Sequence, residues 1–415
     1  MEGRSSCDSR RYRSRRAVML GRRLAHLALP LGVLCVTAAF GQVSPPQLTL
    51  DWPALAAKIV ERLAPAPGEK ILMLCHPGKF EELVPHLRYA IQKVGAVDLG
   101  CLDVLAEPVP ASWDLKVLER TAKPAREVFR RMLRDVDAAV MMPGAAPRHP
   151  PYAALQDLLR EEGGPRRTVH FHWDGGGAPS ATALPGQPLP PSYVIDALYQ
   201  RAVLSTDYNV VAAAQRRFLS ALRKGETRVT TPLGTDLRFR VGDRPANIQD
   251  GDASAARARK GVVLVDREVE LPSGVLRIAP LEETVEGVIA FPPSQWNGRP
   301  VTGLRLHFSR GRVTKIEAES GKDAVQAELK QGGPGSDAFR EFALGFNPEL
   351  AVPERNPFVA YYGYGSGVVR LSLGDNTELG GKVTSGRSRW NFFTDATVVA
   401  GGEPWVRDGR LVSNP

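Results

Sequence analysis

Apolar residues alternate between two periods over the first half of the chain. Residues 52–63 carry them at helical spacing and end at Pro65 and Pro67-Gly68, whereas residues 70–75, Lys-Ile-Leu-Met-Leu-Cys, form an unbroken apolar run of strand length. His76-Pro77-Gly78 turns the chain into a helical stretch over 79–94, and 96–104 is the next apolar strand. Strand, glycine-containing turn, helix and strand make a βαβ unit, which implies a parallel sheet covered on both faces. The pattern repeats with a helix at 122–135, a strand at 137–142, a helix at 150–162 and a strand at 167–173. Residues 175–191, rich in Gly, Pro and Ala, read as a connector, and 192–204 and 208–223 as two helices.

The texture then changes. Short runs rich in Val, Thr, Ile and Phe at 227–231, 237–241, 261–265, 284–291, 304–309 and 313–319 predict strands, punctuated by Gly234, Gly242-Asp243, Gly251 and Gly311. Residues 323–329 and 336–344 predict helices, and 368–373 and 392–399 return to strands. The expected organisation is an α/β N-terminal domain with a parallel sheet over 42–205, followed by an α+β C-terminal domain over 206–415. At the end of the 336–344 helix, Gly345 supplies a cap and Pro348 bars continuation. Glu341 then meets the unfavourable end of the helix dipole, which a cation or a metal would offset.

Residues 1–41 look different again. An Arg-rich start precedes an apolar run from 24 to 40 and small residues at Ala38, Ala39 and Gly41, the layout of a cleavable signal peptide, with Met19 as an alternative start. The run is interrupted by His26 and Pro30 and is short for a membrane span. Export to a periplasmic or extracellular compartment is expected, with no membrane span after cleavage. The leader also alters the charge. It holds eight of the 54 basic and two of the 45 acidic residues, so the net +9 falls to 46 basic against 43 acidic groups in the remainder. Nucleic acid is therefore not an expected partner. Cys75 and Cys101 outlast the leader and lie on neighbouring expected strands, where they either pair or stay buried thiols.

Two groups of residues could carry chemistry. His170 and His172 alternate onto one face of a strand with Asp174 next in the series, a spacing that can share a metal, although no third ligand at a telling distance follows. The first βαβ unit lacks the G-x-G-x-x-G fingerprint, so no dinucleotide is expected.

The second group lies in an ordered set of motifs. Pro67-Gly68-Glu69-Lys70, Asp207-Tyr208, Thr230-Thr231-Pro232-Leu233-Gly234-Thr235-Asp236-Leu237, Leu271-Pro272-Ser273-Gly274, Leu281-Glu282-Glu283-Thr284-Val285-Glu286-Gly287 and Glu341-Phe342-Ala343-Leu344-Gly345-Phe346-Asn347-Pro348 resemble successive landmarks of the M29 family, the thermophilic-type metallo-aminopeptidases. The resemblance implies an α/β first domain, a C-terminal catalytic domain, a homodimer and a two-metal site that removes N-terminal residues from peptides. It also implies five ligand positions, and this chain departs at four of them. Glu341 keeps a carboxylate, but the others fall on Val275, Arg370, Arg389 and Asn391. Glu270, Asp375 and Asp395 lie within a few residues of these positions, yet no histidine follows His307.

A guanidinium cannot ligate a metal but can replace its charge, so Glu341 is expected to pair with Arg370 or Arg389. The implied function is an exported M29 aminopeptidase-like protein with lost or altered metal-dependent peptidase activity. The alternative is an active metallo-aminopeptidase with a reduced metal site. No cofactor is expected in the first case and Zn, Co or Mn in the second; a peptide or a small acidic molecule is the expected ligand.

Overall fold

The computed structural model describes residues 49–161, 164–173 and 180–412. The expected leader and Asp174 lie outside them, and no described helix is long and apolar enough to cross a membrane. The described residues form one compact unit.

The first layer is the expected parallel sheet. Its strands run in the order Val97–Asp103, Lys70–Cys75, Ala138–Met141, Arg167–Phe171 and Glu268–Leu271, each parallel to its neighbours. Alternation explains the unbroken apolar run of the Lys70–Cys75 strand. Ile71 and Met73 join Leu55, Ile59, Leu87 and Ile91 of the Trp52–Leu63 and Leu83–Lys93 helices on one face. Leu72 and Leu74 join Tyr152, Leu155 and Leu158 of the Pro150–Leu159 helix on the other. Both faces are covered, so neither set of side chains can be polar.

The fifth strand comes from beyond residue 206. Glu268–Leu271 docks beside Arg167–Phe171, so the sheet borrows a strand from the part of the chain expected to form the second domain. Its sequence, Glu-Val-Glu-Leu, gives little apolar signal.

The second layer is an antiparallel sheet in the order Ser388–Phe393, Val369–Gly374, Phe339–Gly345, Val275–Ile278 and Ala246–Gln249. One face, with Leu276, Ile278, Phe342, Leu344, Leu371 and Leu373, shares a core with Val229, Leu237, Ile289 and Leu306 of an eight-stranded sheet. The opposite face carries Val275 and Ala343, which belong to the first layer's core. This inner face also holds Arg277, Glu341, Arg370 and Ser372, as the pairings Arg277 with Ala343, Ala343 with Arg370 and Glu341 with Ser372 require.

Three expectations need correction. Residues 336–344 are not a helix. Phe339–Gly345 is the central strand of the second sheet, and all seven of its residues are buried. Phe339, Phe342 and Phe346 fall three and four apart and imitate a helical stripe, but cores on both faces and strand partners on both edges favour the extended form. Glu341 therefore meets no helix dipole, and Gly345 is not a cap: a Cβ there would run into the backbone of Gly363, Tyr364 and Gly365. Residues 261–265 contain no strand, only the start of the short turn Leu264–Asp266. The stretch 392–399 divides between two strands, Ser388–Phe393 and Thr397–Ala400, in different sheets.

Cys75 and Cys101 sit on adjacent parallel strands with their sulfurs 2.8 Å apart. Cys75 is buried and Cys101 exposed, so only one matches a buried thiol. The Cys101 sulfhydryl raises the Cys75 thiol, helped by burial, while the contact with Cys75 lowers that of Cys101.

Candidate functional site

Glu341 is completely buried, and strand pairing decides what surrounds it. Arg277, from the strand on one side, donates to its Oε2 through Nη2 at 2.9 Å and Nε at 3.1 Å. Arg370, from the strand on the other side, places Nη2 3.0 Å from Oε1, close enough for an ion pair although not aligned as a hydrogen bond. Ser372 Oγ donates to the same Oε1 at 3.2 Å, and Arg340 Nε lies 3.7 Å from Oε2. Arg277 and Arg340 also share Glu378.

Burial alone would raise the Glu341 carboxyl, but Arg277, Arg370 and Arg340 outweigh it and hold the group well below the ordinary carboxylate range. Burial pulls Arg277 down, yet Glu341 and Glu378 more than compensate and raise it. For Arg370 burial prevails over Glu341 and lowers it. A guanidinium starts so high that both stay charged. Arg277 is thus the stronger partner, and Arg370 the one held at a cost.

Of the five positions implied by the family resemblance, the structure brings Val275, Glu341 and Arg370 onto one face and leaves Arg389 and Asn391 off it. Arg389 pairs across from Leu373 and Asn391 across from Leu371, which puts both on the face opposite Arg370. Arg389 instead binds Glu328 at 2.6 Å and lies over the Trp296 ring, its guanidinium carbon 3.5 Å from the centroid. Asn391 accepts from Arg389 Nε and donates to Leu371 O. The residues of that strand which share the site's face include Phe392, paired with Arg370, and Trp390, paired with Ser372, with Arg370 4.8 Å from the Trp390 ring centroid. Arg277 and Glu378 escaped the sequence reading. Strand alternation from Val275 would have flagged Arg277, whereas Glu378 arrives from a loop turn, Thr377–Leu379, with no local signal.

The motif glycines and asparagine hold this sheet to the first. Asn347 Nδ2 donates to Ser273 O at 2.6 Å, Phe346 N donates to Gly274 O at 2.7 Å, and a Cβ at Gly274 would sit 2.5 Å from that of Asn347. Leu271-Pro272-Ser273-Gly274 and Gly345-Phe346-Asn347-Pro348 are therefore two halves of one junction.

A second polar cluster lies across that junction, at the carboxyl ends of the parallel strands. His170 and Glu270 are register partners, and His172 follows on the same face. With Glu270 these imidazoles form a group whose potential ligand atoms all lie within 4.8 Å of one another. The two rings are 3.5 Å apart between centroids. Tyr152 Oη lies 3.1 Å from each ring nitrogen of His170 and donates to Glu268 Oε1 at 2.9 Å. Tyr364 donates to Glu270. Burial lowers both histidines, His170 further because His172 is its neighbour, and burial pushes Glu268 up to about 7.

The family described as thermophilic metalloprotease (M29) matches residues 207–352, which include Glu270, Val275, Arg277 and Glu341. Among solved structures, 2,5-dihydroxypyridine dioxygenase from Pseudomonas putida aligns with a TM-score of 0.57 at 16% identity, covering 87% of this chain and 97% of that one. Wild-type AmpT from Thermus thermophilus aligns with a TM-score of 0.55 at 16% identity, covering 87% of this chain and 99% of the other. At these identities the likeness is one of fold. No curated protein matches in sequence. The resemblance drawn from the order of the motifs is thus matched by the family model, and residues 207–352 are similar to the thermophilic metalloprotease (M29) family.

Proposed function

We propose that this chain is an exported M29-type protein in which the family's metal-dependent peptidase chemistry has been lost or altered, with guanidinium charge standing where metal charge would be needed. The observation that carries this reading is the state of Glu341. Both of its oxygens are engaged, by Arg277 on one side and by Arg370 and Ser372 on the other, and the group is closed to solvent. A two-metal hydrolase site needs several carboxylates and imidazoles to offset the ions and leave room for water and substrate. Val275 and Arg370 offer no ligand atom, and Arg389 and Asn391 face the other way. The residues around Glu341 do not fit a divalent ion. Binding of a peptide or small acid by Arg370 is the other use of the same residues. It requires Arg370, 2% exposed, to leave Glu341.

Release of amino acids from aminoacyl amides, with Zn²⁺, Co²⁺ or Mn²⁺ added, tests the reading. No metal-dependent release is expected from the wild type. Release that disappears in a folded Glu341→Gln variant would restore the aminopeptidase reading. Export rests on the leader, which lies outside the described residues, and N-terminal sequencing of secreted material tests it. A mature start near residue 42 is expected, and one at or before Ser5 would contradict it.

A further inference from the structure

We propose that His170, His172 and Glu270 form a mononuclear site for a divalent transition metal that favours imidazole and carboxylate ligands, Zn(II), Co(II) or Fe(II). The site lies outside the five positions implied by the family resemblance and does not depend on the state of Glu341.

Its position follows from the topology. His170 and Glu270 are paired on neighbouring parallel strands, and His172 extends the same face just beyond the strand end. The carboxyl ends of parallel strands are where open α/β sheets bind their ligands. The sequence offered His170 and His172 as two ligands without a third. The third is supplied by the strand borrowed from beyond residue 206. Two imidazoles and one carboxylate are a donor set for a single ion, and three protein ligands leave a position for water or a small molecule.

The surroundings orient the three ligands, as the outer partners of metal ligands do. Tyr364 holds the Glu270 carboxylate, and Gln249 Oε1 accepts from Glu270 N at 2.9 Å. Tyr152 links His170 to Glu268. Tyr361 Oη donates to Leu271 O at 3.1 Å and fixes the strand end. The tyrosine segment is itself under strain. Tyr361 and Tyr362 have φ values of 37° and 52°, a left-handed region that bulky residues occupy only when their surroundings enforce it. The result is that their rings meet the edge of His172, at 6.2 and 5.5 Å between centroids. His172 and Glu270 are half-buried, unlike the closed Glu341. A plain hydrogen-bonded knot would account for His170 and Tyr152. It gives no reason for a second imidazole 3.5 Å from the first and beside a carboxylate.

Titration of chelator-treated purified protein with Co²⁺, followed by absorption spectroscopy and calorimetry, tests the site. One Co²⁺ per chain is expected, with visible bands of a protein-bound ion. His172→Ala and Glu270→Gln should each weaken binding at least about 100-fold, and Tyr364→Phe about 10-fold, the lower end of outer-partner effects. His172→Cys should retain the ion and add a thiolate-to-cobalt charge-transfer band, which a merely structural histidine would not produce. A wild type without bound Co²⁺, or a folded His172→Ala with unchanged affinity, would overturn the proposal. Glu341→Gln, checked for its fold by circular dichroism, should leave the cobalt spectrum as it is. Binding lost in that variant but kept in His172→Ala would instead place the ion at Glu341, contradicting both this site and the proposed function.

Discussion

Glu341 and Glu270 are two carboxylates on opposite sides of one junction, and they have been satisfied in opposite ways. Around Glu341 every neighbour that could carry charge is a guanidinium or another carboxylate, so Arg277, Arg340 and Arg370 balance Glu341 and Glu378 within a closed cluster. Around Glu270 the groups in contact are imidazoles and a phenol, and the Arg277 and Arg370 guanidiniums act on it only from a greater distance. On the reading proposed above, the first arrangement has no place for a cation and the second has one. Buried polar groups thus indicate function less by their number than by whether their charge is already balanced.

The largest effect should come from breaking the closed cluster. Glu341→Ala leaves Arg277 and Arg370 buried without their shared counter-charge, and urea denaturation should show a loss of about 3 to 5 kcal/mol. An unchanged midpoint would mean that the guanidinium groups find water or other partners. The same carboxyl sets the acid response. Its folded value lies below the ordinary 4.5, so its contribution is complete above about pH 4.5 and is lost as the pH falls through the folded value. Wild-type stability should therefore decline below pH 4.5, while Glu341→Gln should start lower at pH 7 and show a shallower decline.

A double-mutant cycle sharpens the contrast between the two faces of the second sheet. Glu341 with Arg370 should show a coupling of about 1 to 3 kcal/mol, whereas Glu341 with Arg389 should couple by less than about 0.5 kcal/mol, because Arg389 serves Glu328 on the other face. A strong coupling to Arg389 would mean that the strand register is shifted. The smallest effect concerns Cys75 and Cys101. With sulfurs 2.8 Å apart, they should oxidise in exported protein, seen as the loss of two hydrogens in the intact mass, with little change in the circular dichroism spectrum.

Much of the first layer was legible because its strands are buried on both faces and its helices on one, so periodicity alone separates them. The Trp52–Leu63 and Ser192–Leu204 helices appear with the expected bounds. The site was legible only in part. Glu341 and Arg370 could be picked by motif order, but the strand that holds Glu341 read as a helix because Gly345 and Pro348 resemble a helix end, and its phenylalanines fall at helical spacing besides. Arg389 and Asn391 lie on the face opposite Arg370, and motif order does not tell which face of a strand a residue takes, since neighbours alternate. Glu270 could not be assigned to His170 and His172 from the sequence, since the pairing joins residues a hundred positions apart through a strand with weak apolar character.

Anomalous diffraction at the cobalt edge, from crystals soaked in Co²⁺, compares the two carboxylates within one molecule. A peak within bonding distance of His170, His172 and Glu270, with none beside Glu341, is the expected result. A peak at Glu341, with Arg370 turned away from it, would contradict the claim that guanidinium charge has taken the metal's place there.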